Sequence, residues 1–218
     1  MSWSLFRMSI GSHSSRDLAK SSNWALAQRG QSLAAVQRIR EGLAAAEATG
    51  WRSHEPAFHG LLAEAISLTG AMDEGLSVLT EVLATAEVSG ARGADAELYR
   101  LRGDLLRRLP CPDWTEVEAC FRTAFAVARH QGTRGFELRA AVSLARLLSD
   151  QGRHHEAHDL LAPIYGWFTE GFNTPDLKEA KALLDDLTPE FNSSMPMNTA
   201  ARASCSGGGR DPRSWLRE

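Results

Sequence analysis

A nine-residue pattern recurs three times along this chain, and it limits the fold more than any other feature does. Gly42-Leu43-Ala44-Ala45-Ala46-Glu47-Ala48-Thr49-Gly50 returns as Val82-Leu83-Ala84-Thr85-Ala86-Glu87-Val88-Ser89-Gly90. It returns again as Ala124-Phe125-Ala126-Val127-Ala128-Arg129-His130-Gln131-Gly132. The copies are about 40 and 42 residues apart, the length of a unit made of two helices. Each copy reads as a helix end. Its small residues admit a neighbouring helix, and its final Gly can take the left-handed conformation that closes the helix. One helix pair cannot bury its apolar faces alone, so such pairs stack on one another.

The intervening sequence divides into pairs of 3.6-period segments. They are Asn23–Arg29 with Ser32–Thr49, Glu55–Thr69 with Met72–Ser89, Ala94–Leu109 with Trp114–Gln131, and Phe136–Asp150 with His154–Phe168. Gly30, Gly70 and Gly152 mark turns within pairs. The third pair turns instead through Pro110-Cys111-Pro112-Asp113, where Asp113 and Glu116 form a capping-box pattern. A last helix is expected over Pro175–Leu187, with Thr174 as N-cap and Leu177, Ala180, Leu184 and Leu187 on one stripe. One dry and one wet face suit the end of a stack. The expected architecture is therefore all-α: an α-solenoid of antiparallel helix pairs with a C-terminal capping helix. Residues 1–22 read as a Ser-rich flexible arm, 23–188 as the repeat domain and 189–218 as a disordered tail.

Composition excludes several function classes. Ala and Leu dominate a hydrophobic fraction of 43%, and strand-favouring residues are sparse. A formal charge of −3 argues against a nucleic-acid partner. Cys111, Cys120 and Cys205 are an odd set without CxxC spacing, which fits a reducing compartment. No apolar run has the length of a signal peptide or a membrane helix, so a cytoplasmic protein is expected.

Catalytic constellations are missing from the pattern. The lysines Lys20, Lys178 and Lys181 follow Ala19, Leu177 and Ala180, so none closes a Gly-Lys-Ser/Thr phosphate loop. His154, His155 and His158 form a cluster in which His154 and His158 share a helical face, yet only Asp159 or Glu156 is near enough to complete a metal site, and solvated histidines are the simpler account. Cys120 sits at a core position of the repeat. Tyr165, Trp167 and Phe168 lie beside Leu160 and Leu161 and read as core. No enzyme activity and no cofactor are expected.

The second helices carry a three-slot motif. Ala35, Gly75, Val117 and Ala157 fill the first slot; Ile39, Leu79, Phe121 and Leu161 the second; Gly42, Val82, Ala124 and Ile164 the third. This small–bulky–small order resembles tetratricopeptide repeats (TPRs), whose fold is a superhelix of stacked helix pairs. A more specific resemblance covers roughly residues 23 to 188 and lies in Glu97–Leu106, Glu137–Arg146 and Leu161–Phe172. These stretches resemble the C-terminal repeat region of large bacterial regulators that join a nucleotide cyclase or DNA-binding head to a signalling ATPase. Before Asn23 the Ser-rich arm replaces the helix expected in that family, and after Leu187 the resemblance ends. The resemblance implies a detached, non-catalytic arm of a bacterial signalling protein that binds a protein or peptide. The alternative it implies is a fragment of a cyclase or ATPase regulator lacking its catalytic domains.

In such a stack the first helix of each pair lines the concave side. Alignment puts Glu64, Asp104 and Arg146 in one equivalent slot, with Arg100, Arg107 and Arg139 on the same faces. These six are the candidate partner-binding residues, and the Arg forks suit carboxylates of a partner peptide.

Overall fold

Ala, Leu, Arg and Glu fill the regular segments, and each of these favours a helix. In the computed structural model, residues 32–48 and 55–188 are described, and they contain helices and turns only. The helices are α1 (Ser32–Ala48), α2 (Glu55–Ser67), α3 (Met72–Ser89), α4 (Asp95–Leu106), α5 (Trp114–His130), α6 (Arg134–Asp150), α7 (His154–Tyr165) and α8 (Pro175–Leu187). A 3₁₀ turn, Arg92–Ala94, leads into α4. The expected helix Asn23–Arg29, both terminal segments, and the turn glycines Gly30 and Gly50 lie outside the described residues.

Helix ends follow local chemistry. Gly132 and Gly152, at φ 65° and 77°, close α5 and α6 in left-handed turns. At both, the amide after the glycine reaches back across the turn: Thr133 N–H to the Ala128 carbonyl at 3.0 Å, and Arg153 N–H to that of Leu148 at 2.8 Å. Asp113 caps α5 as expected, accepting from the amides of Thr115 and Glu116. The reciprocal half of the capping box does not form, because the Glu116 carboxylate accepts instead from Arg102 of α4. At α8, Thr174 precedes the helix in extended conformation but donates its hydroxyl to the Gly171 carbonyl, so it caps nothing. Helix α7 stops at Tyr165, short of the expected Phe168. Pro163 lies inside it and has no amide to bond the turn before.

Every helix packs on its neighbours in sequence, and α2, α4, α6 and α8 also pack on one another. The first helices thus form one continuous layer, while α1, α3, α5 and α7 form the other. Closer packing within the first layer puts it on the inner side of a curved stack.

The core lies between the layers, and the repeat motif supplies it. Ala35, Val117 and Ala157 of the first slot and Leu79, Phe121 and Leu161 of the second are fully buried. In the third slot Val82, Ala124 and Ile164 are buried, but Gly42 is exposed and Leu43 takes the inward place. The tightest crossing is at Gly103 of α4, where a Cβ would lie 2.6–3.0 Å from the Phe121 ring of α5. Opposite charges also recur on the outer layer at a separation of 34 residues. Arg40 of α1 pairs with Glu74 of α3, and Arg122 of α5 with Glu156 of α7. Glu118 and Arg153 extend the second pair into a ring of four. Hydrogen bonds from Arg122 and Arg153 hold the Glu156 carboxyl below its usual range.

Gly103→Ala is expected to destabilise the fold by about 1–3 kcal/mol, since the fully buried Phe121 ring has nowhere to retreat. Urea unfolding measures this. Adding Phe121→Leu should return part of the loss, because it removes the ring atoms that the new methyl meets.

Candidate functional site

The inner layer gathers its charged residues through helix periodicity. Ala63, Gly103 and Ala145 are buried toward the second helices. The next residue along each helix, Glu64, Asp104 or Arg146, is therefore turned by about 100° away from that contact. Glu64 and Asp104 are half-buried and Arg146 is exposed.

Four of the six candidate residues come together around a residue outside that set. Glu97 of α4 is 1% exposed. Its Oε1 accepts from Arg100 Nη2 at 2.7 Å and from Arg139 Nη2 of α6 at 2.8 Å. Its Oε2 accepts from Arg100 Nε at 3.0 Å, so Arg100 binds it with both prongs. Arg100 also donates to Asp104 one turn on, and Arg107 Nε lies 3.6 Å from the other oxygen of Asp104. Glu64 acts on both Arg100 and Arg139 without touching either, and Asp176 of α8 acts on Arg139 in the same way.

Burial would pull the Arg100 guanidinium down, but Glu97 and Asp104 outweigh it, and its pKa lies above the usual arginine range. For Arg139 burial prevails over the attraction of Glu97, and its pKa falls below that range. Both remain cations at neutral pH. Arg146 stands apart from this group and pairs with Glu179 of α8 at a more exposed position. The forks expected to face a partner's carboxylates are thus engaged by the protein's own acids. An i,i+3 spacing of Glu97 and Arg100 was the available signal, but the reach of Arg139 from the next repeat had none in the sequence.

The other singled-out residues are dispersed. His154 Nδ1 lies 3.2 Å from the Ser149 hydroxyl, His158 Nδ1 lies 3.6 Å from Asp159, and His155 is exposed. Among the described residues no group of three or more His, Cys, Asp or Glu is placed to hold a metal. Cys120 is buried, and burial pushes its thiol pKa up, away from a reactive thiolate. Tyr165 and Phe168 pack on the core as expected, but Trp167 is half exposed. The Arg134 guanidinium lies 3.1 Å from its ring centroid and also binds the buried Glu137. Among the described residues no helix is long and apolar enough to cross a membrane.

With this geometry the chain is a TPR-like α-solenoid. Among solved structures it is similar to two of TPR-like repeats from a putative kinesin light chain of Podosopora anserina, one of them a point-substituted variant. The variant matches with a TM-score of 0.58 at 18% identity over 78% of this chain and 82% of its own. The other matches with a TM-score of 0.57 at 18% identity over 78% and 83%. At that identity the likeness is one of fold. No family profile and no curated protein matches the chain.

Glu97→Gln should cost about 3–5 kcal/mol in urea unfolding, because it leaves two desolvated guanidinium groups short of an anion. Arg146→Gln, which breaks an exposed pair, should cost under about 1 kcal/mol.

Proposed function

We propose that the protein is a non-catalytic helical-repeat scaffold whose inner layer binds a protein or peptide partner. The observation that carries this reading is the clustering of Arg100, Asp104, Arg107 and Arg139 across two successive inner helices, with Glu64 and Arg146 at equivalent helical positions on either side. A solenoid needs its interlayer core for stability, but nothing about stacking requires charge on the inner face. The clustered groups are pre-oriented by ion pairs, so a partner would meet side chains that lose little freedom on binding.

The stretches Glu97–Leu106, Glu137–Arg146 and Leu161–Phe172 support a bacterial signalling lineage, with this chain as the regulatory arm and the catalytic work done elsewhere. In this reading residues 23–188 are the binding domain, residues 1–22 and 189–218 are its flanking segments, and the protein acts in the cytoplasm.

The test is site-specific photo-crosslinking in cells. Ser143 shares a face of α6 with Arg139 and Arg146, at i+4 and i−3, whereas Thr80 is exposed on outer helix α3. A crosslinking residue at 143 should trap one defined protein and one at 80 should not. The trapped protein, once purified, should bind the wild-type chain and lose affinity for a variant with Arg107→Gln and Arg146→Gln. Trapping from position 80 alone overturns the inner-layer assignment. Reproducible nucleotide turnover abolished by a point substitution in this chain overturns the non-catalytic reading.

A further inference from the structure

We draw no further inference here: the strongest candidate, the half-exposed rings of Trp167 and Phe172 in the connection between α7 and α8, carries none because Arg134 beside Trp167 is already engaged by Glu137 and nothing in the structure shows what covers the rings.

Discussion

Everything in this molecule depends on how closely one helix backbone can approach the next. Where α4 meets α5, the Phe121 ring occupies the place that a Cβ on residue 103 would need. Where α3 meets α2, a Cβ on Gly75 would lie 3.0 Å from the Ala63 carbonyl oxygen and 2.8 Å from a methyl of Leu105. Fully buried alanines at 63, 145 and 157 act similarly at other crossings. Small residues at these points let the large ones, Leu79, Phe121 and Leu161, fill the space between the layers at crystal-like density. A bulkier side chain at any of them would push a pair outward and alter the placement of every pair beyond it, since each pair rests only on its neighbours.

Charge is handled differently in the two layers. On the outer side, Arg40–Glu74 and the ring of Arg122, Glu118, Arg153 and Glu156 are exposed to solvent except at the half-buried Glu118, and such pairs contribute little individually. On the inner side, Glu97 is desolvated and shared between Arg100 of its own helix and Arg139 of the next repeat. A buried shared ion of this kind adds little net stability over an apolar contact. It does penalise any geometry in which the pair is broken. The inner network therefore specifies the angle between the second and third inner helices more than it strengthens their contact.

The likeness to kinesin light chain repeats at 18% identity shows how much of this fold is independent of particular surface residues. Framework positions recur because stacking demands them, and most surface positions are under no such demand.

Local sequence was enough to dictate the helices, their pairing and the interlayer core. Periodicity, small residues and closing glycines are local signals, and each acts within a turn or two of itself. Met72–Ser89 and Pro175–Leu187 match their expected bounds, and Gly70, Gly90, Gly132 and Gly152 all adopt positive φ. Local chemistry misled where two partners competed for one group, as when Glu116 turned to Arg102 and Thr174 to Gly171, and at the frayed end of α7, which stops at Tyr165 and leaves Trp167 half exposed. Where the inner charges go was settled by the assembled stack. Periodicity placed Arg100, Asp104, Arg107 and Arg139 on the right faces, but not the reach of Arg139 across a repeat to Glu97, nor the lack of a donor at Asp176 Oδ2 among the described residues. Those depend on the offset between successive helix pairs, which is set by packing between residues some 40 positions apart and has no local signature.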